Sequence, residues 1–187
     1  MKKKIGLQII AGLFFILQLT GCGSSIMTRV PTIEKPDAGM ALVTVMRPSL
    51  FGGGIKFSLW DGENFQGILT AKSYIQFQAT PGKHMLMARA ENWSGVDAEL
   101  QAGRHYYVIA RPIMGAWKAR VALDPVSRDQ YNEGQVEKWM KGLTPTAVID
   151  GKGENYAAPR LEQVRTAISN FNNGQAKSMP LSAADGI

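Results

Sequence analysis

The sequence predicts a mainly β fold: an antiparallel β-sandwich, Ig-like or barrel-like, followed by one or two C-terminal helices. Three observations lead there. From Met40 to Leu123, short runs rich in β-branched and aromatic residues recur about every ten residues, each bounded by Gly, Pro, Asn or Asp. Side chains alternate within such runs. Trp117, Ala119, Val121 and Leu123 fall on one face and Lys118, Arg120 and Ala122 on the other, the period of a strand with one wet side. Beyond Asp124-Pro125 the apolar period becomes helical.

Ala41 to Arg47 (ALVTVMR) opens the sheet, and Pro48 stops it because proline cannot donate to a ladder. Gly52-Gly53-Gly54 reads as a mobile loop. Ile55 to Trp60 and Phe65 to Thr70 flank Asp61-Gly62-Glu63-Asn64, a hairpin turn in which Gly62 can take positive φ without strain. Ser73 to Ala79 reaches the Pro81-Gly82 turn, and His84 to Ala90 returns. Val96 to Leu100 ends at Ala102-Gly103, and His105 to Ile113 and Trp117 to Leu123 complete the run. Ser127 can cap a helix towards Met140, with Tyr131, Val136 and Trp139 among its apolar contacts and Gly134 as its weak point. Thr146 to Asp150 fits one more short strand. Pro159 suits a first helical turn, after which Leu161, Val164, Ile168 and Phe171 recur opposite Arg160, Glu162 and Arg165. Asn172-Asn173-Gly174 ends that helix.

The organisation expected is a leader at 1–21, a tether at 22–39, the sandwich at 40–125, a helical part packing on the sheet at 126–173 and a disordered tail at 174–187. Tether and tail are inferred from polar composition and from Pro31, Pro36 and Gly39. The leader has a basic start, Lys2-Lys3-Lys4, and an apolar run of 15 residues from Ile5 to Leu19. That run is shorter than the ~20 residues needed to cross a bilayer, and it has the form of a secretory signal peptide.

Leu19-Thr20-Gly21-Cys22 closes the leader and resembles the lipobox of bacterial lipoproteins at every position. That resemblance implies recognition of Leu19, Thr20 and Gly21 by a signal peptidase and lipidation of Cys22 with S-diacylglycerol and an N-acyl chain. Two or more chains make such an anchor stable. Gly23 rather than Asp after the cysteine implies sorting to the outer membrane, facing the periplasm, in preference to the inner membrane. Cys22 is the only cysteine, so an intramolecular disulfide is excluded, and once lipidated it leaves no thiol for catalysis or metal binding.

The formal charge of +6 overstates the basicity of the chain beyond the leader. Residues 22–187 carry 18 basic and 15 acidic residues, because Lys2, Lys3 and Lys4 leave with residues 1–21 and no acid does. This balance gives no footprint for nucleic acid. Roughly 165 residues remain, enough for one domain with its own core.

Arg47-Pro48, Gly52 to Gly54, Asp61-Gly62, Gly67, Pro81-Gly82 with His84, Ala102-Gly103 and Tyr106-Tyr107 form a pattern. Through it the stretch from Ala41 to about Leu123 resembles a family of uncharacterised bacterial lipoproteins with a β-sandwich domain of unknown function. It is also distantly similar to short β-domains of surface-layer-associated proteins. The resemblance implies an envelope lipoprotein and brings no catalytic residues.

The candidate chemistry is sparse. His84 and His105 are the only histidines, without the further donors a metal site needs. Asp61 and Glu63 read as solvated turn acids. Gly52-Gly53-Gly54-Ile55-Lys56 lacks phosphate-loop spacing and leads into a strand. Asn92-Trp93-Ser94 matches a glycosylation sequon. Among the aromatics, Trp117 and one of Tyr106 and Tyr107 are expected in the core, while Trp93, with the Gly52 to Gly54 loop, is the candidate interaction surface. The expectation is therefore a lipid-anchored, non-catalytic interaction module that needs no cofactor beyond its covalent lipid. Its partner would be another envelope protein or peptidoglycan. The alternatives are a periplasmic hydrolase using Asp61, Asp97 or Asp124, and a small-ligand binder with a cavity between sheet and C-terminal helix.

Overall fold

A computed structural model describes residues 26–114 and 119–187. In chain order its first strands are β1 (Met27–Arg29), β2 (Ala41–Arg47), β3 (Phe57–Asp61), β4 (Asn64–Leu69), β5 (Ser73–Ala79) and β6 (Gly82–Arg89). There follow β7 (Trp93–Leu100), β8 (His105–Met114), β9 (Ala119–Pro125), β10 (Thr144–Val148) and β11 (Ser178–Leu181). The helices are α1 (Arg128–Asn132), α2 (Gln135–Met140), α3 (Gly153–Ala157) and α4 (Leu161–Asn172), with a 3-10 turn at Ala158–Arg160 leading into α4 and another at Ala183–Asp185.

The strands form two packed sheets, ordered β1-β10-β5-β2-β8-β9 and β11-β7-β6-β3-β4. The expected sandwich is present, but it is not purely antiparallel. β2 pairs with β8 in parallel, as do β10 with β5 and β11 with β7. Each parallel pair joins strands far apart in sequence, which turn signals between consecutive strands cannot register. β2 lies inside the first sheet and all seven of its residues are buried. Val43 and Val45 face the other sheet, meeting Phe57, Leu59, Leu86 and Val96 in the intersheet core. Each such side chain stabilises the fold by about 1.5–3 kcal/mol relative to exposure.

Each sheet also buries its outer face. Met46 and Tyr74 of the first sheet pack with Val126 and Val136, flanked by Tyr131 and Trp139 of α1 and α2. Trp60 and Met87 of the second sheet pack under Val164, Ala167 and Phe171 of α4. The helical part is thus divided between two faces. Ser127 caps α1 as expected, through a capping box with Gln130, and Gly134, at φ 69°, separates α1 from α2.

Two segments expected to be loose are docked. From Ile26 onward the tether joins the fold: β1 pairs with β10, Thr32 Oγ1 meets the Tyr74 hydroxyl at 2.6 Å, and the backbone N–H of Ile33 donates to Gln76 Oε1 at 2.8 Å. Side-chain amides here take the place of a ladder that Pro31 and Pro36 could not sustain. The tail joins as well. β11 covers the edge of β7, and Ile187 exchanges backbone hydrogen bonds with His105 at 3.0 and 3.1 Å. Polar composition misled in both places because the partners lie far away in sequence.

Gly95 sits beneath α4, where a Cβ would stand 2.8 Å from the Phe171 ring. Gly95→Ala should therefore destabilise the domain by about 2 kcal/mol through overpacking. Adding Phe171→Leu should recover part of the loss, read as the urea unfolding midpoint; two additive losses would show that this contact is not the cause.

Candidate functional site

Helix α4 covers only part of the second sheet. Beside its N-terminal end lies a cleft of about 1190 Å³. β3 and β4 contribute Ser58, Trp60 and Ile68, while Ile26 and β1 approach from one side and Pro159 and Gln163 from another. Trp60 is 1 % exposed and its Nε1 donates to Ser58 Oγ at 3.1 Å, so the indole is buried without an orphaned donor. An aromatic series continues from it. Phe65 lies 5.1 Å from Trp60 between centroids, and Tyr156 stacks on Phe65 at 4.7 Å.

The described lining residues include four cations, Arg29, Lys56, Arg89 and Arg160, against one acid, Glu91. None of the four is in an ion pair among the described residues. Arg160 stands 3.8 Å over the Tyr156 ring and donates to the Tyr156 carbonyl at 2.7 Å. Arg89 lies 5.4 Å over Trp93 and bonds Gln163. A guanidinium held over a ring stays weakly hydrated and keeps donors free for an anion. The arrangement suits binding of a negatively charged, partly apolar ligand or surface.

Of the residues singled out from sequence, Trp93 lines this cleft, though as the first residue of β7 and only half exposed. The Gly52 to Gly54 loop leads into Ile55 and Lys56, which line the same cleft. That loop is not the free segment expected, because it wraps a buried cation. Arg47 is 0 % exposed; its guanidinium donates to the carbonyls of Ile55 (2.6 Å), Gly52 (2.8 Å) and Phe51 (3.1 Å) and lies 4.4 Å over Phe57. Burial lowers its pKa.

Asp61 is not a solvated turn acid. It is 9 % exposed, and both its carboxylate oxygens lie 2.9 Å from His84 Nδ1. The other ring nitrogen of His84 faces the Thr80 carbonyl at 2.8 Å, so the pair pins two strand ends together. Glu63 is exposed and pairs with Arg165 at 2.8 Å, and that guanidinium lowers the Glu63 pKa. Asp124 pairs with Arg111 at 2.6 Å, and Asp97 is an exposed residue of β7. None of Asp61, Asp97 and Asp124 lines the cleft. Among the described residues no three His, Cys, Asp or Glu side chains cluster as a metal site would need. Asn92 makes paired bonds with the Val121 backbone at 2.8 and 3.0 Å. Leu19, Thr20, Gly21, Cys22 and Trp117 lie outside the described residues.

His105 anchors a separate buried network. Its Nε2 meets Thr44 Oγ1 at 2.7 Å, its Nδ1 meets the Tyr107 hydroxyl at 3.0 Å, and its ring stacks on Tyr107 at 4.1 Å. Burial pushes the His105 pKa down to about 4, and burial, with smaller contributions from Tyr131, Glu34 and Tyr74, pushes Tyr107 up to about 12. Sequence reasoning did not find this network or the cleft cations. Arg29, Lys56, Arg89 and Arg160 stand on four separate segments, and no local spacing links them.

Fold and cleft together define a two-sheet sandwich with a helical layer on each outer face and an open, cation-rimmed groove. No protein-family model matches the chain, and no curated protein does.

The buried groups generate two expected outcomes. Between pH 6.5 and about 4 the unfolded chain binds the His105 proton and the folded chain does not. This contribution to stability is therefore complete above pH 6.5 and lost as pH falls to about 4, on the order of 3 kcal/mol. His105→Gln should flatten that window in urea midpoints measured against pH; an unchanged profile would assign the dependence elsewhere. Arg47→Met removes the guanidinium donors from the carbonyls of Phe51, Gly52 and Ile55, of which Gly52 keeps the Ile55 N–H, and should cost about 2–3 kcal/mol, with faster amide exchange at 51–55. Unchanged exchange there would refute the clamp.

Proposed function

We propose that this protein is a lipid-anchored bacterial envelope lipoprotein whose domain is a non-catalytic interaction module, contacting another envelope protein or the cell wall. The observation that carries the reading is Leu19-Thr20-Gly21-Cys22, placed directly after a basic start and a 15-residue apolar run. A thiol at that position is the nucleophile that accepts a diacylglyceryl group. Gly23 favours the periplasmic face of the outer membrane. The resemblance of residues 41–123 to envelope lipoproteins points the same way. The non-catalytic part draws support from the cleft's chemistry, in which cations and aromatic faces predominate and the candidate acids lie elsewhere. The small-ligand alternative draws on the same cleft, whose volume exceeds what a drug-sized molecule needs.

Metabolic labelling with radioactive palmitate tests the anchor. The native chain should take up label and sediment with membranes, and Cys22→Ser should lose both; a native chain that takes up no label would overturn the reading. Photo-cross-linkers placed across the exposed surface in living cells test the module. A specific protein or glycan adduct is expected, and a small molecule in its place would favour the ligand-binding alternative.

A further inference from the structure

The N-terminal segment places the cleft closer to the membrane than its composition suggests. Ile26 lines the cleft and Cys22 is four residues earlier. Four residues span at most about 14 Å when fully extended. A lipid on Cys22 would therefore hold this end of the domain at the bilayer surface, not on a 17-residue leash.

Two further features gather at the same end. One is charge, with four cations against one acid around the cleft and no ion pair on any of the four among the described residues. Basic side chains within a Debye length of an anionic leaflet, about 8 Å at physiological salt, are drawn to it. The other is apolar exposure. Leu50 (69 %), Phe51 (57 %), Ile113 (48 %) and Met114 (59 %) are four of the five large hydrophobics exposed among the described residues. The two segments that carry them adjoin, since a Cβ on Gly52 would lie 3.6 Å from Pro112 Cβ. They also adjoin the cleft, because Ile55 lines it and Met114 pairs across the ladder with Ala119, which lines it too. Apolar tips beside a basic surface are the composition of a segment that settles at a headgroup boundary.

We propose that the domain docks on the anionic bilayer surface that holds its own lipid, with the basic cleft over phospholipid headgroups and Leu50, Phe51, Ile113 and Met114 inserted at the interface. This rests on the lipid-anchor reading, and it assigns the candidate surface of Trp93 and the glycine loop to the membrane side.

The test uses the lipidated full chain carrying Leu50→Cys. Acylation of Cys22 leaves the new cysteine as the only thiol, so an environment-sensitive dye can be attached there alone. The chain is reconstituted in vesicles of phosphatidylcholine, with or without phosphatidylglycerol. With the anionic lipid, dye emission should shift to the blue, and quenching by spin-labelled lipid should be severalfold stronger than in phosphatidylcholine alone. Arg29→Glu with Lys56→Glu, both at exposed positions, should return quenching to the phosphatidylcholine level while the protein still floats with the vesicles. A floating protein whose dye ignores phosphatidylglycerol would overturn the docking and leave the apolar tip free for a protein partner. A chain that does not float with phosphatidylcholine would instead remove the anchor itself.

Discussion

Three residues of β1 tie the two sheets of this domain together beside the cleft. Met27, Thr28 and Arg29 pair with Val148, Ala147 and Thr146 at the edge of the first sheet. The same short strand reaches the second sheet, because Ile68 N–H donates to Met27 Sδ at 3.2 Å and the thioether lies over Gly67. Gly67 has φ 140°, and a Cβ there would stand 2.7 Å from Met27 Cε. The hollow exists only because the residue is glycine. Without β1, Ile26 and Arg29 would not wall the cleft.

The opposite side of the sandwich is joined by a different device. Asn92 pairs with the Val121 backbone, and Leu123 N–H donates to Ser94 Oγ at 2.9 Å. Side chains here stand in for a ladder, linking the β6–β7 turn and the start of β7 to β9 across the sheets. Unpaired strand edges invite association with other chains, and this fold covers them with short strands and side-chain bonds. β1 and β11 are the short covers of the two sheets, each recruited from a segment that looks featureless by composition.

Where local pattern decides the structure, the sequence is readable. β2 and β5 coincide with their expected limits because alternation and flanking prolines or glycines act over a few residues. Gly134 interrupts its helix, and Pro159 sits in the 3-10 turn that leads into α4, for equally local reasons. The misses share one cause. β1 and β11 pair with strands far along the chain, Arg47 is buried against the usual habit of arginine, and Asp61 leaves solvent only because His84 comes from another strand. The candidate site was legible only as Trp93 and a glycine loop. Its cations are brought together by the fold alone.

Two arginines show how one residue type serves two ends here. Arg47 is enclosed by three carbonyls and the Phe57 ring; its two terminal nitrogens hold a loop, its Nε is buried without a partner, and the cation is unavailable to solvent. Arg160 rests on a ring at the surface and keeps donors to spare. Placement, not number, therefore sets the electrostatics. Residues 22–187 hold 18 basic and 15 acidic residues, an excess of three. Among the described residues the cleft lining gathers four cations and one acid. A weakly charged protein can then present a strongly directional face.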